Sequence, residues 1–146
     1  ENKMNNKLTK LCAGLVFALM TAILPGIVHA DDREDKAVNA AQTWLNPVDQ
    51  GNYSQSWQQS ADFFKTLVSK DKWVNALQRV RTPLGQIKSR VLMSADYKTE
   101  VPGAPDGHYV IIKFATSFEN KQNSTETVTP VLDKDGKWRV AGYFIR

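Results

Sequence analysis

From Asp31 to Gly85 the apolar residues recur at helical spacing in three blocks. In the first, Ala37, Ala40, Ala41, Trp44, Leu45 and Val48 share one face. Asp31, Asp32, Glu34 and Asp35 crowd its start, where carboxylates complement the positive end of a helix dipole. Asn46-Pro47 is the expected stop, because proline lacks the N–H that a helix interior uses. The second block runs from Tyr53 through Trp57, Ala61 and Phe64 to Val68, and the polar run Tyr53 to Ser60 reads as its exposed side. The third block aligns Trp73, Leu77, Val80 and Leu84, with Ser69 or Asp71 as N-cap and Gly85 as stop.

After Gly85 the period changes to alternation. Ile87 to Tyr97, His108 to Phe118, Thr125 to Leu132 and Lys137 to Ile145 are rich in β-branched and aromatic residues, which predicts four strands. Asn120 to Ser124 and Asp133-Lys134-Asp135-Gly136 read as turns, so the last three strands form an antiparallel meander. The connection Pro102-Gly103-Ala104-Pro105-Asp106-Gly107 is longer and stiffer. Helices first and a curved antiparallel sheet second give an α+β domain. On the last strand neither face is cleanly polar, which predicts a central strand or one covered by a second subunit. A homodimer through the outer sheet face follows as an expectation.

Residues 4–30 read as a secretory signal peptide. Lys7 and Lys10 precede an apolar run from Leu11 to Ile27, and Val28-His29-Ala30 supplies the small-residue cleavage site. A cut after Ala30 leaves one domain, residues 31–146, in the periplasm or outside the cell. The run is short and contains Pro25-Gly26, so the mature form is not expected to span a membrane. The cut also removes Cys12 and His29, which leaves His108 as the sole imidazole. It lowers Lys plus Arg from 19 to 16 and Asp plus Glu from 15 to 14, a net of +2 that is too mild for a nucleic-acid partner. Stability must then come from packing, which four tryptophans favour.

A resemblance covers nearly the whole mature chain. Trp44-Leu45, Val48-Asp49-Gln50-Gly51-Asn52-Tyr53, Ser56-Trp57, Arg81-Thr82-Pro83-Leu84-Gly85 and Ser89-Arg90 carry its first half. Pro102-Gly103-Ala104-Pro105-Asp106-Gly107, Glu126-Thr127 and Trp138-Arg139-Val140-Ala141-Gly142-Tyr143 carry its second. In order and spacing these pieces resemble the bacterial exported family called domain of unknown function 4019 (DUF4019). The resemblance implies a small cone, similar to nuclear-transport-factor-like (NTF2-like) and cystatin-like folds, in which a curved sheet wraps a long helix. It brings no established reaction and no catalytic residues.

Candidate chemistry therefore rests on residue types. His108 borders the Pro-Gly loop and is either an exposed strand-end residue or a general acid/base. Alternation puts Glu126 with Val128, Pro130 and Leu132, and Arg90 with Leu92 and Ser94. A carboxylate and a guanidinium can then meet on the inner face, near Arg81. That pair is either structural, fixing register or closing the helix-to-sheet junction, or an anion clamp. Arg90, Glu126 and His108 are thus the candidate ligand-binding residues.

No metal or cofactor is expected. Zinc lacks a second histidine or a thiol, and Asp133 to Gly136 is too short for a calcium loop. No phosphate loop, nucleophile elbow or fixed repeat is present in the sequence. The favoured function is a non-enzymatic binding or protein-interaction module whose partner is an unknown small molecule or protein. The alternative is a small-molecule enzyme drawing on Asp62, Asp96, Glu126, Tyr97, Tyr109 and His108 in the cone cavity.

Overall fold

The computed structural model describes residues 30–146, so residues 4–29 of the expected leader lie outside it. The chain runs α1 (Ala30–Asp49), α2 (Tyr53–Gln58), α3 (Asp62–Leu67), α4 (Lys70–Arg81), a 3-10 turn at Thr82–Leu84, then β1 (Ile87–Lys98), β2 (Tyr109–Phe118), β3 (Ser124–Leu132) and β4 (Trp138–Ile145). The four strands form one antiparallel sheet in sequence order. Helices followed by this sheet make the domain α+β.

Two helix boundaries differ from expectation. Helix α1 passes through Pro47 and ends at Asp49, followed by Gly51 at φ +76°. Proline forfeits one helix hydrogen bond, but Pro47 is buried and the extra turn carries Val48, 1% exposed, into the core. The chain closes behind it through Gln50 N–H to the Asn46 carbonyl at 3.1 Å and Asn52 N–H to that of Pro47 at 2.7 Å.

The second expected helix is two short ones, so the helices number four among the described residues. Ala61 is extended, at φ −57° and ψ 147°, and its N–H turns away to the Val140 carbonyl on β4 at 2.8 Å. The break thus covers part of an otherwise open sheet edge. The polar run before it is not simply an exposed side. Ser56 and Ser60 are buried and receive the indole N–H groups of Trp73 and Trp44, at 3.0 and 3.1 Å. Helix α4 starts as expected at Ser69, whose hydroxyl accepts from Lys72 N–H at 3.4 Å.

Strand β4 is an edge strand, not a central one. Its two apolar faces come from a register shift opposite Thr129 and Pro130, which leaves Ala141 as an extra residue. Trp138 and Val140 face the helices before the bulge, and Tyr143 does so after it. A second shift, between Leu92 and Ser94 on β1, takes Ser94 off the face of Arg90 and puts Ala95 and Tyr97 against the core instead.

Helix α1 lies across all four strands. Its stripe Ala37, Ala41, Leu45 and Val48 packs with Val110, Ile112, Phe114, Val128 and Val140, all 2% exposed or less. Each larger apolar side chain so buried contributes on the order of 1.5–3 kcal/mol. Trp73 sits between Trp44 and Phe64, with ring centroids 6.0 and 5.1 Å away, which ties α1, α3 and α4 together.

Candidate functional site

At the end of the sheet where α1 and α4 terminate, two carboxylates and two guanidinium groups meet under the core. Asp49 comes from the last residue of α1, Arg81 from the last of α4, Arg90 from β1 and Glu126 from β3. Arg90 donates to both oxygens of Glu126, Nε to Oε2 at 2.6 Å and Nη2 to Oε1 at 3.1 Å. Its other fork holds Asp49, at 2.8 and 2.9 Å. Arg81 donates Nη2 to Asp49 Oδ1 at 2.8 Å and lies 4.6 Å from the centre of the Phe118 ring. Glu126 also accepts from the Thr116 and Tyr143 hydroxyls, both at 2.6 Å.

The group is buried and balanced. Side-chain exposure is 0% for Glu126, 3% for Arg81, 15% for Arg90 and 19% for Asp49. Burial alone would raise the Glu126 carboxyl, but the hydrogen bond and charge of Arg90, with Thr116 and Tyr143, hold it below its ordinary value. Burial likewise opposes the charge on Arg90, yet Asp49 and Glu126 hold its proton more tightly than usual. The Tyr143 phenol is pushed well above its ordinary value by burial and by the adjacent Glu126 charge. Bidentate pairing on two sides makes the arrangement specific for arginine at position 90.

The pairing of Arg90 with Glu126 is as alternation placed it, but His108 does not join them. From Glu126 to Leu132, whose N–H bonds the His108 carbonyl at 2.9 Å, β3 runs six residues, about 20 Å. The exposed imidazole bonds instead to the Tyr97 hydroxyl through Nδ1 and stacks on that ring at 5.9 Å between centroids. Arg33 lies 4.3 Å from the Tyr97 ring centre.

The other candidate acids are also dispersed. Asp62 pairs with Lys65 at 3.0 Å, Asp96 accepts from Ser94 at 3.2 Å, and Tyr109 donates to the Pro105 carbonyl at 2.6 Å. Burial, with the Asp106 charge, raises the Tyr109 phenol.

Asp49, Thr116 and Tyr143 complete the network. Asp49 lies four residues after Leu45 and eight after Ala41, so a carboxylate on the apolar stripe of α1 was the available signal. Thr116 sits between Phe114 and Phe118 on one strand face, a polar residue among core positions. Tyr143 carried no such signal, because the bulge at Ala141 reverses its face.

Two clefts open elsewhere. One, about 600 Å³, lies between α3 and the hairpin tips and is lined by Asp62, Phe63, Thr66, Pro105 and Asp133 to Asp135. Arg139 grips Asp133 at 2.8 Å and Asp135 at 2.7 Å there, and its hydrogen bond draws the Asp135 carboxyl down to about 2. The other, about 400 Å³, runs between α1 and β4 beside Thr43, Trp44 and Trp138. Neither lining includes Arg90, Glu126 or His108. Among the described residues no cluster of three or more His, Cys, Asp or Glu is placed to hold a metal, and no helix is long and apolar enough to cross a membrane.

Residues 40–143 match a family model described as "Protein of unknown function (DUF4019)". No curated protein matches the chain.

Proposed function

The chain belongs to the DUF4019 family, and we propose that it is an exported binding or protein-interaction module that works by shape and surface, not by turnover. One observation carries this reading: the buried carboxylates and guanidinium groups under the core pair with one another. An enzyme site needs an acid or base with a shifted pKa turned toward substrate. Here Arg90, Glu126 and Tyr143, whose proton affinities are shifted, form one mutually bonded set. The clefts of about 600 and 400 Å³ have the size of small-molecule or peptide sites. The position of α1 across all four strands supports an NTF2-like cone, in which the charge network plugs one end.

Native mass spectrometry of the protein purified from the envelope of its own cells tests the reading. A retained molecule or protein partner, unchanged on incubation, is the expected result, together with an N-terminus at Asp31. Conversion of a retained molecule, lost in Glu126→Gln, would overturn it in favour of the second reading, an enzyme with carboxylate, Tyr or Arg chemistry. That reading is favoured by Arg81, whose Nε and Nη1 have no hydrogen-bond acceptor among the described residues although the residue is 4% exposed.

A further inference from the structure

We propose that the free edge of β1 is where a second copy of this chain docks, two β1 strands pairing antiparallel about a two-fold axis at Leu92. The proposal rests on the interaction-module reading and names the partner.

Three observations lead to it. Among the described residues strand β1 ends the sheet, and Val91, Leu92 and Met93 on it are 62, 45 and 62% exposed, a continuous apolar run on an open edge. Such an edge invites another strand. The opposite edge is partly occupied, since the Ala61 N–H already bonds the Val140 carbonyl of β4.

The third observation is that the β1 sequence complements itself. With the axis at Leu92, exposed Lys88 faces the partner subunit's Asp96 and Val91 faces the partner's Met93. The apolar run then pairs with itself, flanked by two ion pairs, one at each end. Other registers lose this. An axis at Met93 sets Lys88 against the partner's Lys98, and an axis at Val91 sets Lys88 against the partner's Ser94 and Asp96 against the partner's Gln86. A homodimer must be self-complementary in this sense, whereas an unrelated strand would not call for Lys88 and Asp96 at matched distances from the centre.

The register shifts at Lys88 and Met93 bend β1. Bulges also serve to keep edges unpaired, and a protected monomeric edge is the competing explanation.

The test is a charge swap on the protein expressed from its full sequence. A short edge ladder belongs at the small end of specific interfaces, below about 1,200 Å² in total, so mass is measured by light scattering at about 100 μM. The expected result is a two-chain mass for the unaltered protein and a one-chain mass for Lys88→Glu and for Asp96→Lys, with unchanged melting. The double variant Lys88→Glu/Asp96→Lys restores the pairs across the axis and returns to the two-chain mass. A one-chain mass for the unaltered protein overturns the proposal. So does a two-chain mass that both single variants retain, which would place the dimer contact elsewhere and leave the module reading intact. A double variant that stays at one-chain mass overturns the register.

Discussion

Arg90 and Glu126 meet fork to fork, at 2.6 and 3.1 Å, although their strands are not neighbours. Strand β2 runs between them, and there Thr116, opposite Arg90 in the register, donates its hydroxyl to the same carboxylate at 2.6 Å. Arg90 spans the intervening strand with a long side chain and grips Asp49 of α1 with its remaining fork. One guanidinium therefore locks the sheet to the helix that crosses it.

Arg90→Ala should destabilise the fold by about 3–5 kcal/mol, because it leaves Glu126 buried and short of its cation. Arg90→Lys should recover less than half, since an ammonium cannot hold two carboxylates bidentately. The double change Arg90→Met/Glu126→Leu removes charge from both sides, and Arg81 still pairs with Asp49. It should cost less than Arg90→Ala alone. Urea denaturation of these variants and of Glu126→Leu measures this; a double variant whose cost equals the sum of the two single costs would show that the charges act independently.

Stability should be flat near neutral pH and fall on both sides. Glu126 titrates below its ordinary value of 4.5 in the fold, so its contribution is complete above that value and is lost as pH falls through the lower folded value. Tyr143 holds its proton well above the ordinary 10.0, so its contribution is complete below pH 10.0 and is lost as pH rises beyond it. Tyr143→Phe should flatten the alkaline limb and, by removing one hydrogen bond to Glu126, also make the acid limb shallower. Melting temperatures from pH 3 to 11 for both proteins check the two signs.

The buried serines differ in what they hold. Ser56→Ala removes the acceptor of the Trp73 indole N–H, at 3.0 Å, and should cost about 1–3 kcal/mol. In Ser60→Ala the Trp44 indole keeps the Ser56 carbonyl at 2.8 Å, so the cost should be smaller. Chemical denaturation followed by tryptophan fluorescence ranks them, and the reverse order would reject this assignment.

Gly85 and Gly51 have similar positive φ, +73° and +76°, in different surroundings. A Cβ at Gly85 would lie 2.8 Å from Glu119 Oε2 and 2.9 Å from Glu119 Cβ, whereas at Gly51 it meets nothing within 4 Å. Gly51→Ala should cost only the backbone term of about 1–2 kcal/mol, and Gly85→Ala more. Equal losses in melting temperature would remove the steric part of the argument.

Local pattern determined much of this protein. The strands were legible to within a residue or two because alternation, β-branched residues and turn signals coincide over β1 to β4. The contact of Arg90 with Glu126 was legible because Arg90, with Leu92, lies between the two register shifts of β1 and Glu126 lies where β3 keeps an even register with β2, so parity of position gave the face. Tertiary structure decided the rest. Packing of Pro47 and Val48 into the core carried α1 past its proline and delivered Asp49 to the network. The bond from Ala61 to β4 cut one expected helix into two. The extra residue at Ala141 turned Tyr143 inward, and six residues of strand separated His108 from Glu126. Spacing along a chain reports local geometry; bulges, edge bonds and burial depend on partners distant in sequence, and they chose which charged groups meet.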